Sequence, residues 1–260
     1  MTDSSEMTIY GKQPVKEALS SNHRVKKLIL AREMPEKDRV FFERLAGQRK
    51  VPVEYIPKGN IQAYSGPVLH QGIAAITGKY HYSSEKDLWH LIDQDLIPLL
   101  LILDQIQDPQ NLGAILRTAE IVRVTAVILP DKGSAQINAT VVKTSVGSVF
   151  HLNVHRTDKL MTLLEQFKER GLTVIAFAPG KSEYIYRYKL DLPVVLVIGS
   201  EGHGVRRNLQ KMADHILSIP QKGRTGSLNV STSAAIILFE TLRQREFKSH
   251  VKGFNPVKGI

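Results

Sequence analysis

The sequence predicts an α/β protein in two units: a small α/β domain, then a larger domain built on a mostly parallel sheet with helices on both faces. Three observations predict it. From Leu99 onward short apolar runs alternate with segments of helical spacing; before residue 78 the same alternation runs through shorter elements; between the two, residues 79–96 turn polar and irregular. A chain of 260 residues, 42% hydrophobic and 23% charged, has the composition of a folded globular protein and is long enough for two domains.

In the first unit Val25–Leu30, Val53–Ile56 and Gly72–Ile76 read as strands, and Gln13–Ser20 and Pro35–Arg49 as helices. Phe41, Phe42, Leu45 and Ala46 fall at i, i+1, i+4 and i+5, one face of a 3.6-residue period, which assigns both aromatics to the core rather than to a base-stacking surface. Lys79-Tyr80-His81-Tyr82-Ser83-Ser84 opens the connector and leads into a charged, helix-like segment. In the second unit Leu99–Leu103, Ala126–Leu129, Thr173–Ala178, Val194–Ile198 and Ile216–Ile219 read as strands, and Asn111–Arg123, Asn138–Gly147, Asp158–Arg170 and Ser231–Glu246 as helices. In sheets of this kind ligands sit at the carboxyl ends of the strands, so chemistry is expected in the loops that leave them. The domains are thus placed at residues 7–78 and 97–247, joined by a linker at 79–96 and followed by a loose tail at 248–260 that takes no function.

Lys and Arg number 35 against 25 Asp and Glu, a formal charge of +10 with a pI near 9.7, which suits a phosphate-rich partner, with nucleic acid the leading class. Charge alone also fits a protein that is merely basic. Cysteine is absent, which excludes disulfides, thiolate zinc sites and a cysteine nucleophile. Met1 to Glu6 is polar and acidic, unlike a secretory signal, and the longest apolar run, Leu99–Leu103 with Ile97-Pro98 ahead of it, is too short to span a bilayer. A soluble, cytoplasmic protein is expected. No fixed-period repeat points to a solenoid.

Three loops carry unusual content. The first, Asp108-Pro109-Gln110-Asn111-Leu112-Gly113, enters a helix with ordinary helix-start chemistry at Pro109 and its Asp and Asn neighbours. Leu112, Ile115, Leu116 and Ala119 form that helix's apolar stripe, and Arg117 points away from it, one turn beyond Gly113. The missing side chain at Gly113 would let a ligand approach the guanidinium; an Arg there either grips a phosphate in bidentate fashion or stands solvated. The second loop is Gly199-Ser200-Glu201-Gly202-His203-Gly204-Val205-Arg206-Arg207, whose glycines imply a tight turn or close backbone approach to a ligand. It is not the G-x-G-x-x-G fingerprint, and no G-x-x-x-x-G-K-[ST] phosphate loop occurs. His203 has no second ligand at a metal-binding spacing and takes no role. The third loop runs from Ile219 to Ser231. Ser227, Asn229 or Ser231 can cap the helix that follows, while Gly223 and Gly226 beside Lys222 and Arg224 could wrap a ligand and face phosphates.

Taken in order and at these separations, the loops resemble the three motifs of the SpoU, or TrmH-like, family of RNA ribose methyltransferases. The resemblance rests on Asp108-Pro109-x-Asn111-x-Gly113-x3-Arg117-Thr118-Ala119, Ile198-Gly199-Ser200-Glu201-Gly202-x-Gly204 and Ile219-Pro220-x6-Ser227-Leu228-Asn229-Val230-Ser231. With Tyr10-Gly11-x2-Pro14-Val15-x-Glu17-Ala18-Leu19 and His70-Gln71-Gly72-Ile73 it covers roughly residues 7 to 246. Within the family the chain looks most similar to bacterial enzymes that methylate a guanosine ribose in large-subunit ribosomal RNA. The resemblance implies a trefoil knot at the carboxyl end of the catalytic domain, which general topology rules would reject. It also implies a front domain similar to a small ribosomal-protein-like RNA-binding fold, and a homodimer with its sites near the subunit interface.

The resemblance further implies S-adenosylmethionine as methyl donor, with Asn111, Arg117, Glu201, Ser227 and Asn229 in the catalytic neighbourhood and Gly199, Ile219 and Leu228 lining the cofactor pocket largely through backbone atoms. A general-base role is credited to the arginine of this family; a guanidinium keeps its proton, which makes Arg117 better suited to clamp the target phosphate and hydroxyl. Glu201 is open to a second use, capping nearby amide groups. The glycines around Gly199 fit as space for the cofactor. Methyl transfer of this kind requires no metal, and none is expected. Ribosomal RNA is the expected substrate. Transfer RNA, a resistance-conferring ribosomal RNA methyltransferase, and a non-catalytic RNA-binding protein of the same fold are the alternatives, the last disfavoured by the five site residues occurring together.

Overall fold

Two sheets organise the chain. The computed structural model describes residues 6–181, 183–223 and 228–247. In the first unit β1 (Glu6–Tyr10), β2 (Val25–Ala31), β3 (Val53–Ile56) and β4 (Ile73–Gly78) form a sheet in the order β1-β4-β2-β3, with α1 (Lys12–Ser20), α2 (Glu36–Gln48) and the single-turn α3 (Gln62–Ser65) between strands. β4 is antiparallel to β1 and β2, and β3 is parallel to β2. Val15, Ala18 and Leu19 of α1 and Phe42 and Ala46 of α2 are buried with Ile9, Leu28, Leu30 and Ala75. Phe41 packs edge-on against Phe42, so both aromatics serve the core. β1 is absent from the sequence reading. Its five residues carry little alternation, and its strand state is imposed by pairing with β4 from Glu6↔Gly78 to Tyr10↔Ala74.

The second unit runs α4 (Glu85–Gln94), β5 (Leu99–Asp104), α5 (Pro109–Ile121), β6 (Ala126–Pro130), α6 (Ala139–Thr144), β7 (Val154–Thr157), α7 (Leu160–Glu169), β8 (Thr173–Phe177), β9 (Val194–Gly199), α8 (Arg207–Met212), β10 (His215–Leu217) and α9 (Val230–Glu246). Its strands are all parallel, in the order β10-β8-β9-β5-β6-β7. Alternate residues of β5 serve opposite faces. Leu99, Leu101 and Leu103 join the core formed with α5, α6 and α9, and Leu100 and Ile102 join a second core with α4, α7 and α8. Burial on both faces is why these strands read as unbroken apolar runs. The strand order reverses between β5 and β9, the place where such sheets hold ligands. α9 spans the sheet lengthwise: its cap meets α5 at the carboxyl end, and Arg245 donates to the carbonyls of Ile97 and Leu192 at the amino end.

Three boundaries differ from expectation. β7 reads Val-His-Arg-Thr, an edge strand with one neighbour and so no need of an apolar run. The helix expected over Asn138–Gly147 ends at Thr144, because Val146 and Gly147 turn through positive φ (57° and 85°). A Cβ on Gly147 would meet the side chain of Glu17 at 2.7 Å, so this turn is where the first unit closes on the second. Residues 79–96, expected as a linker, instead belong largely to the second unit. Ser84 and Asp87 form a capping box that starts α4, whose Leu88 and Ile92 are buried in the core, and the Tyr80 hydroxyl donates to the carbonyls of Val149 and Leu152.

Across this contact His23 stacks on Phe150 with ring centroids 4.5 Å apart. Burial, and then the neighbouring charge of His81, push its pKa down from 6.5 to about 4; Arg49 adds to the lowering and a hydrogen bond to the Gly78 backbone opposes it. The native state therefore holds a neutral imidazole. Between those values the unfolded chain binds a proton that the folded chain does not, so this contribution is complete above pH 6.5 and lost as pH falls towards 4. A wholly buried group so shifted would contribute ~3 kcal/mol; His23 is partly exposed, and about 1–2 kcal/mol is expected. Urea unfolding at about pH 7 and about pH 4.5 checks this. The native chain should lose more stability on acidification than His23→Phe, and equal losses would remove His23 as the source.

Candidate active site

β5 and β9 end side by side, with Asp104 opposite Gly199 in register, and the motif loops leave the sheet there. Asp108 caps α5, its carboxylate accepting from the backbone N–H of Gln110 and Asn111 with Pro109 in the first turn, so this part of the first motif is structural. Asn229 caps α9: its side-chain oxygen accepts from the backbone of Ser231 (2.8 Å) and Thr232 (3.3 Å) and from the Ser231 hydroxyl (2.6 Å). The other end of the same amide donates to Asn111 Oδ1 at 3.1 Å and Glu201 Oε1 at 3.3 Å. One side chain thus joins the starts of two helices to the loop after β9. Glu201 accepts from this amide, and no hydrogen bond from a backbone amide to its carboxylate is seen among the described residues.

The two ends of Asn229 can be separated by substitution. Asn229→Ala removes cap and bridge together and should cost about 1 kcal/mol, whereas Asn229→Ser keeps a capping oxygen and should restore most of it. Neither retains the amide that holds Asn111 and Glu201, so both should lower turnover at this site by roughly tenfold, about the worth of a hydrogen bond to a charged group. Thermal unfolding and turnover measured together check this; full activity in Asn229→Ser would reduce the residue to a cap.

Two cavities open on the cluster. A cleft of 410 Å³ is walled by Ile198, Gly199, Ile219, Leu228 and Ile237, and a smaller one of 300 Å³ by Gln107, Asp108 and Asn111. Ser200, Glu201, Gly202, His203 and Val230 line both, so the loop after β9 is their common wall. The residues expected at a cofactor, Gly199, Ile219 and Leu228, all line the larger cleft, and Asn111 and Glu201 line the smaller. His203, given no role by the sequence, stands on the shared wall. Arg117 is not drawn in: it is exposed on α5, lines neither cavity and makes no hydrogen bond or ion pair among the described residues. Ser227 lies outside the described residues.

Two glycines work differently from expectation. A Cβ on Gly113 would strike Thr144 Cβ at 2.7 Å and the Val141 carbonyl at 2.9 Å, so its bareness lets α6 approach α5 and opens no path to Arg117. A Cβ on Gly199 would lie 2.0 Å from the carbonyl carbon of Gly204, so the space is filled by the loop itself and not kept for a cofactor. The sequence reading also passed over Asp104 and Arg206. Asp104 is fully buried, and Arg206 reaches it with its backbone N–H (2.9 Å), Nε (2.8 Å) and Nη2 (2.7 Å). The available signal was a charged residue ending an otherwise apolar strand. Among the described residues no group of three or more His, Asp or Glu could hold a metal ion, and no helix is long and apolar enough to cross a membrane.

Residues 98–239 match the sequence model of the SpoU rRNA methylase family, and residues 8–83 that of the RNA 2′-O ribose methyltransferase substrate-binding domain. The chain belongs to the SpoU methylase family. A Staphylococcus saprophyticus protein named for the TrmH family of tRNA/rRNA methyltransferases is 33% identical to it over 243 residues, 93% of this chain and 97% of that one. The SpoU methyltransferase AviRb of Streptomyces viridochromogenes, solved in complex with AdoMet, superposes with a TM-score of 0.77 at 21% identity, covering 93% of this chain and 91% of that one. An AdoMet-bound rRNA methyltransferase of Sinorhizobium meliloti gives 0.77 at 24% identity over 94% and 89%. These two likenesses establish the fold. The SpoU methylase described here is accordingly an RNA methyltransferase on an α/β scaffold with a parallel sheet.

Proposed function

We propose that this SpoU methylase transfers a methyl group from S-adenosylmethionine to the 2′-hydroxyl of one guanosine ribose in large-subunit ribosomal RNA, acting as a cytoplasmic homodimer. The observation that carries the reading is the shared wall. A cleft lined by Gly199, Ile219 and Leu228 abuts a smaller cavity lined by Asn111 and Glu201, and Asn229 bonds to both of the latter. At 410 Å³ the cleft falls in the usual range for small-molecule sites, and its Ile219, Leu228 and Ile237 walls with the backbone of the 199–204 loop suit a purine nucleoside. S-adenosylmethionine, when bound, supplies an electrophilic methyl on a sulfonium. The chain's own task is alignment: Asn111 and Glu201 orient the ribose hydroxyl and draw on its proton, and Asn229 holds both. Arg117, a fixed cation, clamps the adjoining RNA phosphate.

The match of residues 8–83 to a substrate-binding model and the charge of +10 support RNA binding by the front unit, residues 7–78. The trefoil knot belongs to the same reading: the chain leaves edge strand β10 and stands beside central α5 at Asn229, with residues 199–205 and Ser218, Ile219, Gln221, Leu228 and Val230 lining one cleft. The homodimer is supported by α9, which is apolar on a second side. Ala235, Ile236 and Leu242 are half-buried there, Phe239 is 48% exposed and Ile121 of the adjoining α5 is 54% exposed, a face that a second copy would cover. The name of a relative, which gives tRNA and rRNA together, supplies the second reading, the same chemistry on transfer RNA.

Transfer of labelled methyl from S-adenosylmethionine to unmodified ribosomal RNA and, separately, to transfer RNA tests the proposal, with the modified ribose mapped afterwards. Label on one ribosomal guanosine 2′-oxygen is expected. Label on transfer RNA alone would keep the chemistry and overturn the substrate, and no label on either would favour the non-catalytic RNA-binding alternative.

A further inference from the structure

We propose that Asp104 is a positioning residue which, through Arg206, sets the loop that forms the common wall of the two cavities. What the cleft binds rests on the function proposed above; the loop geometry does not. Asp104 ends β5 with its side chain fully buried, after five residues that are all apolar. A carboxylate so placed needs partners, since an unpaired buried charge is strongly unfavourable. All the hydrogen bonds it makes among the described residues come from Arg206, 102 positions along the chain: the backbone N–H on Oδ2 and Nε on Oδ1, with Nη2 completing the ion pair at 2.7 Å. Gly199, where the loop begins, is the register partner of the same Asp104.

Both ends of the 199–206 loop are therefore referred to one residue. Between them the loop has few freedoms left: the Gly204 N–H donates to the Ser200 carbonyl at 2.8 Å, and the Gln210 side chain donates to the Val205 carbonyl at 2.7 Å. The span so held carries Ser200, Glu201, Gly202 and His203, which line both cavities, while Asp104 lines neither. Asp104 acts at a distance, by fixing where the loop's far end comes down. Its prediction differs from that of an ordinary core residue: loss of its charge should loosen this loop and weaken ligand binding in the cleft while the strands stay as firmly paired as before.

Hydrogen–deuterium exchange of the free protein and calorimetric titration with S-adenosylhomocysteine test this on Asp104→Asn, Arg206→Ala and Arg206→Lys. For Asp104→Asn, exchange across residues 200–206 should rise about tenfold with β5 and β9 interiors unchanged, and the Kd for S-adenosylhomocysteine should rise about tenfold. Arg206→Lys, which keeps the backbone donor and the charge but not the fork, should fall between the native chain and Arg206→Ala. Should Asp104→Asn fail to fold, Arg206→Ala carries the same comparison at a half-exposed side chain. Exchange rising evenly through the second unit would show only a fold-supporting role, and unchanged loop exchange would show that other contacts set the loop; either result overturns the proposal. If the native protein does not bind S-adenosylhomocysteine, the proposed function fails, while the exchange data still decide the role of Asp104.

Discussion

Arg117→Ala is expected to lower methyl transfer to RNA by about 100-fold or more, the usual scale for removing a preorganised charge from a transition state, with unfolding and S-adenosylhomocysteine affinity unchanged. The fold has no stake in this side chain: it is exposed and unpartnered among the described residues, and surface substitutions of that kind shift stability by less than about 0.5 kcal/mol. It lines neither cavity, so the larger cleft keeps its walls when the guanidinium is gone. What disappears is a planar, permanently charged fork on the exposed side of α5, suited to a phosphate on the RNA. Arg117→Lys, which keeps charge without the planar fork, should recover only part of the loss. The pH dependence of single turnovers separates the two roles open to Arg117. A clamp lowers the rate by the same factor at every pH, whereas loss of a base also removes the rise of rate with pH. Normal turnover in Arg117→Ala would take the residue out of the mechanism.

How much of this was legible in the sequence depends on what each residue answers to. β5 and β9 were legible because a central parallel strand is buried on both faces and must be apolar throughout. β1 and β7 were not, because Glu-Met-Thr-Ile-Tyr and Val-His-Arg-Thr form no apolar run and each strand owes its state to pairing with one partner. The spacing of three motifs singled out Asn111, Glu201 and Asn229, and the structure puts both Asn111 and Glu201 within hydrogen-bonding reach of Asn229, while Arg117 stays apart. The reasons were less legible than the residues. Gly113 and Gly199 stand out in the sequence as missing side chains, but a missing side chain does not say what fills its place; in one case it is α6 and in the other the loop's own backbone. The pairing of Asp104 with Arg206 arises only when two strands 95 positions apart in the chain come into register, and no local pattern encodes that.

Gly199→Ala is expected to abolish S-adenosylhomocysteine binding and to cost about 3 kcal/mol or more, at or beyond the upper end for overpacking a well-filled interior. The new methyl would lie 2.0 Å from the Gly204 carbonyl carbon, 2.1 Å from the Val205 nitrogen and 2.2 Å from the Gly204 oxygen. These are backbone atoms, and they cannot swing aside as the end of a flexible side chain can. The loop is closed on itself at Ser200 and held to Asp104 at Arg206, so relief requires lifting the whole segment. Lifting it carries Glu201 away from Asn229 and removes the shared wall of both cavities. Gly113→Ala is the matching control. Its methyl would meet Thr144 Cβ at 2.7 Å and the Val141 carbonyl at 2.9 Å, at a helix contact outside both cavities, so it should lose about 1–3 kcal/mol and keep near-native affinity in its folded fraction. Urea midpoints report the first effect and calorimetry under folding conditions the second. If Gly199→Ala binds S-adenosylhomocysteine as tightly as Gly113→Ala does, the 199–206 loop is not a wall of the binding cleft, and the placement of the methyl donor beside Glu201 fails with it.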